Sequence, residues 1–240
     1  MSGKFWVIEG CDGAGKGTQA KMLVDRLRGS SLLNSNSVYH WSFPNYKIEP
    51  FGPIIRDYLD GKFGDASNTN PYFISTLFAF DRWQESPRMK SLLKHNDWIV
   101  CDRYVESNMG FQATKIADVK EREKFVVWLY DLEYNRLQLP KPSGVILLSL
   151  PPEISIKRTN ARRKLEKNGR GKVAKIDIHE QDDGVVGRSY EQYHSLAHKY
   201  KWHLIDCYQD NRELTREEIS DNIWEIVSNN EKQITKTFHF

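Results

Sequence analysis

Five short runs of apolar residues, rich in β-branched and aromatic side chains, recur along the chain: Phe5 to Ile8, Val38 to Ser42, Trp98 to Cys101, Val145 to Leu150 and Trp202 to Ile205. Their length and make-up predict buried β-strands. Between them the apolar spacing lengthens to that of helices. Thr18 to Leu27 sets Met22, Leu23 and Leu27 on one face, and Tyr72 to Leu93 carries a stripe through Phe73, Leu77, Phe80 and Leu92. Strands separated by helices need crossover connections, which predicts parallel βαβ units and a central five-stranded parallel sheet covered on both faces. Pro140 and Pro142 punctuate the entry to the fourth strand. Pro151 and Pro152 open the helix after it, where proline is tolerated in the first turn.

One segment breaks this rhythm. From Arg158 to Lys175 the chain is dense in Arg and Lys and nearly free of large apolar side chains, so it cannot be buried. The expectation is one domain over residues 1–240 with a mobile basic insertion, a lid, at about 158–178. Hydrophobic residues at 39% and charged residues at 28% suit a globular chain. A net charge of +3 is too small for a protein that coats nucleic acid. The three cysteines, Cys11, Cys101 and Cys207, fall in no C-x-x-C or metal-ligand spacing, so no disulfide framework is expected. No apolar stretch has the length of a bilayer span or the flanks of a secretory signal, so the chain is read as cytoplasmic, with neither membrane nor nucleic acid as partner.

The first strand runs straight into Gly10, Cys11, Asp12, Gly13, Ala14, Gly15, Lys16, Gly17 and Thr18, and a helical pattern follows at once. Strand, glycine-rich turn and helix in that order are what a P-loop requires. Glycines let successive backbone N–H groups turn inward around phosphate oxygens, the helix N-terminus adds partial positive charge, and Lys16 reaches the outer phosphates. The expected architecture is therefore an α/β, three-layer fold of the P-loop NTPase type. The strict pattern places Ser or Thr directly after the lysine; here Gly17 stands there and Thr18 follows, which removes the usual hydroxyl ligand of Mg²⁺. Adenylate kinases share this Gly-Lys-Gly-Thr variant, which points to monophosphate kinases.

The acceptor must be read elsewhere. Asp102-Arg103-Tyr104 follows the third strand, with Ser107, Asn108 and Phe111 beyond it. Phe78 and Arg82 lie on a helix in the stretch Leu77 to Trp83, and Phe43-Pro44 ends the second strand. In order and over most of the chain, from about Lys4 to Asp206, these motifs resemble the thymidylate kinase family. The resemblance implies transfer of a phosphoryl group from ATP, with Mg²⁺, to dTMP or a close relative such as dUMP or a modified deoxyuridylate. It implies stacking of Phe78 on the base, a hydrogen bond from Arg82 to it, and Arg103 on the acceptor phosphate. It also implies Asp102 acting on the metal, Asn108 near the base, Phe111 against the sugar's 2′ position and Asp12 at its 3′-hydroxyl. A homodimer is implied as well.

Each residue keeps a plainer reading. Phe78 suits core packing. Residues i and i+4 share a helix face, so Phe78 and Arg82 can address one planar base, but Arg82 in an apolar stripe needs a partner that Asp81 or Glu85 can equally supply. Asp102-Arg103 can be a structural ion pair at a strand end. Phosphoryl transfer needs cations around the phosphates more than covalent chemistry. Some thymidylate kinases place an arginine inside the P-loop where this chain has Gly13; others draw on the lid, which nominates Arg158, Arg162 and Arg163. His179-Glu180, with Asp182 or Asp183, resembles a pair near the acceptor. Tyr46 stands where many relatives carry an arginine near the acceptor phosphate, so that contact is either lost or replaced by Lys47. A nucleotide-binding module without turnover is the competing class of function.

Overall fold

The computed structural model describes residues 3–33, 37–64, 69–167 and 183–237. Strands β1 (Lys4–Gly10), β2 (Val38–Ser42), β3 (Trp98–Asp102), β4 (Gly144–Ser149) and β5 (His203–Asp206) form one sheet in the order β2-β3-β1-β4-β5. Every neighbouring pair is parallel, in registers such as Val7 opposite Cys101 and Val7 opposite Val145. All five predicted strands are present, each within two residues of its predicted bounds.

Side chains on a strand alternate between faces, and here both faces are apolar. Trp6, Ile8, Val100, Ile146 and Leu148 pack to one side under α1 (Lys16–Arg28) and α8 (Arg216–Thr237). Phe5, Val7, Ile99, Cys101 and Val145 pack to the other, against α3 (Pro71–Lys94), α4 (Val105–Phe111), α5 (Val119–Tyr130) and α7 (Asp183–Tyr200). The result is three layers with α2 (Phe51–Leu59) set beside α3, where Ile55, Tyr58 and Ile74 make a small satellite core.

Three features depart from the sequence pattern. Residues 158–167, the start of the predicted basic insertion, are the last ten residues of helix α6 (Pro152–Lys167). Backbone bonds hold this stretch in shape with Arg162 and Lys164 exposed, so helix needs no burial of the run. The rest of the insertion, with His179, Glu180 and Asp182, lies outside the described residues, as do the side chains of Arg163 and Asp183. A two-strand hairpin, β6 (Tyr208–Gln209) and β7 (Arg212–Glu213), follows β5. Lastly, α5 runs on into a π-helical turn, Asp131–Arg136, which carries the fully buried Glu133.

Candidate active site

The P-loop wraps from the carboxyl end of β1 to the first turn of α1. Gly13 and Gly15 take positive φ, 83° and 92°, a region that side-chain-bearing residues avoid. Lys16 is buried, with Nζ donating to the Cys11 carbonyl at 2.8 Å and 3.7 Å from Asp12 Oδ1. Burial pulls its pKa down, and the nearby Arg103 adds to the fall against the pull of Asp12. Such a lysine is held in an electropositive pocket that an anion would relieve. The buried thiol of Cys11 is pushed up to about 12 by desolvation and is inert as a nucleophile.

Around the loop lies an open cavity of about 910 Å³ that includes Gly13 to Thr18, Asp102, Arg103, Arg158 and Arg162. Its far wall is Leu214, Arg216 and Ile219 from the hairpin and the start of α8. Sequence reasoning missed this wall. Arg158 donates from Nη1 to the Gly13 carbonyl at 3.1 Å and pairs through Nε with Glu213 at 2.7 Å, so the first predicted lid arginine is tied to the P-loop itself. Ser155 Oγ donates to the Asp12 carbonyl, fixing the start of α6 to the same loop.

A second cavity, about 220 Å³, sits beside the first. It is lined by Phe43, Pro44, Phe78, Arg82, Ser107, Asn108 and Phe111, with Asp12 and Arg103 at its mouth. These nine residues, each nominated from the sequence for the acceptor, converge on one space, whereas Lys47 is not in its wall and His179 and Glu180 lie outside the described residues. Tyr46, Leu59, Tyr104 and Gln112 complete the wall. Gln112 is 3% exposed and its Oε1 has no hydrogen-bond partner among the described residues. No sequence pattern singled it out, because its α4 turn ends one residue earlier. Arg56 lies against the Tyr46 ring, 3.8 Å from the centroid, and Lys47 is exposed and not part of the cavity wall.

Arg82 is partnered, but by neither neighbour expected. Its Nε and Nη2 grip both oxygens of Glu133 at 2.6 and 2.7 Å, and Nη1 donates to the Tyr104 carbonyl at 3.2 Å. Glu133 also accepts from Asn108 Nδ2 at 3.2 Å. Asp81 instead accepts from the Asn45 N–H, and Glu85 stays out of the pair. A bidentate guanidinium–carboxylate pair at 2% and 0% side-chain exposure is held rigidly, and it presents Arg82 to the cavity in a set orientation.

The two cavities meet at Asp12 and Arg103, which line both. Arg103 Nη2 donates to Asp12 Oδ1, and the guanidinium lies 5.1 Å from the Phe111 ring centroid. The plain alternative, an ion pair with its neighbour Asp102, is not the contact formed. Arg103 has φ of 68°, unusual for a residue with a side chain, and its N–H donates to the Ile8 carbonyl. That backbone turn swings the side chain out of the strand line toward the P-loop. Burial works against its charge, and Asp12 with the other acids around it outweighs that.

Beneath the junction sits Glu9, fully buried. It accepts from the Tyr104 N–H at 2.9 Å, Ser107 Oγ at 2.9 Å and the Tyr193 hydroxyl at 3.1 Å, so one carboxylate joins β1, α4 and α7. Desolvation raises its pKa, opposed by Arg103. Nothing in the strand pattern marks Glu9 as more than a polar strand end.

No group of three or more His, Cys, Asp or Glu side chains able to hold a metal is found among the described residues. Asp102 nonetheless fits a divalent cation: its Oδ1 is buried without a hydrogen-bond partner among the described residues, and its Oδ2 occupies the space above Gly17, where a Cβ would come within 2.8 Å. Gly17 thus replaces the usual hydroxyl with room for a carboxylate from β3, an oxygen ligand that hard cations favour.

The sequence model described as Thymidylate kinase matches residues 8–219. Among characterised relatives, the chain is 33% identical over 190 residues to the thymidylate kinase of Mycobacterium tuberculosis, covering 79% of this chain and 84% of that one. It is 30% identical over 205 residues to the thymidylate kinase of Plasmodium falciparum, covering 85% and 82%. A solved thymidylate kinase structure from Candida albicans superposes with a TM-score of 0.69 over 96% of this chain and 93% of that one, at 21% identity, a likeness that bears on fold alone.

Proposed function

Since the chain belongs to the thymidylate kinase family, we propose that its two cavities are the donor and acceptor sites of one reaction, the phosphorylation of dTMP by ATP to give dTDP and ADP. The observation that carries this reading is the shared wall. Asp12 and Arg103 line both cavities, so a donor on the P-loop and an acceptor in the smaller cavity bring their phosphates to the same point.

An oxygen of the dTMP phosphate attacks the γ-phosphorus, and the bond to the β–γ bridging oxygen breaks with its electron pair leaving on ADP. The attacking oxygen is already anionic, so no general base is needed. Protein groups position the phosphates and neutralise charge. Lys16 exchanges the Cys11 carbonyl for donor phosphate oxygens, while Arg103 holds the acceptor phosphate with Asp12 fixing its orientation. Arg158 and Arg162 add positive charge along the donor cavity. Phe78 offers its face to the base, and Arg82 and Gln112 offer polar groups to its edge. Asp102 would hold Mg²⁺, together with phosphate and water oxygens, and the ion would neutralise charge on the donor phosphates.

A second copy of the chain is the favoured partner. Phe73, Phe80 and Trp83 recur on α3 at alternating seven- and three-residue steps, with Phe73 73% and Trp83 49% exposed, and Val127 on α5 is 58% exposed. Sedimentation of the intact chain tests this, and a monomer at micromolar concentration contradicts it.

The central test is ADP release coupled to an indicator enzyme, measured across dTMP, dUMP, dGMP, dCMP, UMP and AMP. The expected result is fastest turnover with dTMP. Turnover led by AMP or dGMP removes the thymidylate assignment, and ATP binding with no acceptor-dependent release converts the protein into a binding module.

A further inference from the structure

A third cavity opens at the opposite end of the sheet, where β4 and β5 begin. It measures about 270 Å³, reaches Gly144 and His203 at the starts of those strands, and shares no residue with either active-site cavity. Its walls are aromatic. The rings of Tyr130 and Tyr134 lie 5.0 Å apart between centroids, Tyr130 and Tyr200 are within 6° of parallel at 6.2 Å, and Trp202 continues the stack 6.4 Å from Tyr200. At the rim, Lys141 places Nζ 4.9 Å from the centroid of the Tyr130 ring and donates to its hydroxyl at 2.9 Å. Lys201 stands on the same rim.

At the inner end lies Glu106, only 4% exposed. Its Oε1 accepts from the Tyr134 hydroxyl at 2.7 Å, while Oε2 has no hydrogen-bond partner among the described residues. A buried carboxyl oxygen left unpaired is costly, and natural proteins keep few of them without a use. The phosphoryl-transfer site does not use this one. Desolvation, reinforced by the charge of Glu9, pushes the Glu106 carboxyl up to about 7.

We propose that this rear cavity is a second small-molecule site, taking a planar aromatic ligand that bears an amino or ring N–H donor and an anionic substituent. Flat aromatic walls accept a flat ring in offset or edge-on contact. The unpaired oxygen of Glu106 selects a donor on that ring. Lys141 and Lys201 at the mouth select the anion, with Lys141 able to rotate off the Tyr130 hydroxyl because it is exposed. The two sites lie along one helix without overlapping: Glu106 and Met109 line this cavity from α4, while Ser107, Asn108 and Phe111 of that helix line the acceptor cavity, so both can be filled at once.

The test uses 4-aminobenzoate, which carries ring, amine and carboxylate, titrated onto the ¹⁵N-labelled full chain by NMR. The expected result is saturable shifts at Glu106, Tyr134, Lys141 and Trp202, with a Kd at or below about 1 mM. These shifts should persist unchanged when dTMP and a non-hydrolysable ATP analogue saturate the front of the sheet. Lys141→Glu, an exposed change that leaves the fold and ADP release intact, should weaken binding at least about tenfold. At pH 8, where the Glu106 carboxyl is mostly ionised, Glu106→Gln should weaken it about fivefold or more by the loss of a charge-assisted acceptor. Absence of saturable shifts up to about 10 mM, displacement of the probe by dTMP or the ATP analogue, or unchanged affinity in Lys141→Glu would each overturn the proposal.

Discussion

The donor and acceptor halves of the site solve the same problem, holding a phosphate, by opposite means. The donor half is centred on one contiguous stretch, Gly10 to Thr18, whose backbone N–H groups and helix start form the cradle, with Asp102, Arg158 and Arg162 around it. The acceptor half draws side chains from the end of β2 and from α2, α3 and α4, and its orientation depends on a buried ion pair between residues 51 positions apart. A cradle made of backbone needs only the right turn. A slot made of side chains needs a second layer of buried polar groups to hold it.

The largest expected effect breaks the donor half at its one indispensable side chain. Lys16→Ala should lower kcat by about a thousandfold or more, on the scale of losing a preorganised cation at a developing charge, while thermal melting stays within a few degrees. Unchanged turnover would take the P-loop out of the reaction. On the acceptor half, Glu133→Gln leaves Arg82 buried and without its bidentate partner. Unfolding free energy should fall by about 3 to 5 kcal/mol, and in the surviving folded fraction KM for dTMP should rise while KM for ATP holds. Equal changes in both constants would mean that Arg82 serves the core and not the base.

Reliance on buried charge should also make the acceptor side respond to pH. Glu106, on the helix that walls the acceptor cavity, has a folded pKa of about 7 against an ordinary 4.5. The native state therefore holds this proton more tightly than the unfolded chain does. Its contribution is favourable below about 4.5 and is lost as pH rises through about 7, at a cost of up to about 3 kcal/mol. Denaturant titrations at pH 5, 6, 7 and 8 should show stability falling across this window, and Glu106→Gln should flatten the slope. The smallest effect belongs to the exchange at position 17. Gly17→Ala pushes a Cβ against Asp102 Oδ2, so kcat/KM for MgATP should drop about tenfold with dTMP binding unaltered.

The same contrast explains what could be read from the sequence. The five strands, the layered architecture and the P-loop are encoded by local period and by adjacent residues, so they are legible without a structure. Phe43, Phe78, Arg82, Asn108 and Phe111 were nominated through resemblance, and they line one cavity. Glu133 and Glu9 were not found, because a buried acid looks in sequence like any acid and its partner can lie anywhere. Gln112, Leu214, Arg216 and Ile219 were missed for a related reason: each acquires its position from a turn or hairpin that period-based reading does not resolve. The basic run after Arg158 misled in a narrower way. Its lack of apolar residues suggested an irregular excursion, but helix α6 continues through its first part, where Thr159 is buried and Arg158 is tied to the P-loop.

Contacts on both sides of residues 168–182 bind the flanking helices to the site. Ser155 and Arg158 are tethered to carbonyls of the P-loop, and Tyr193 is moored to Glu9 under the acceptor mouth. The guanidinium at 158 therefore takes its bearing from the same turn that cradles the donor, and a displacement of that turn would carry the cation along with it.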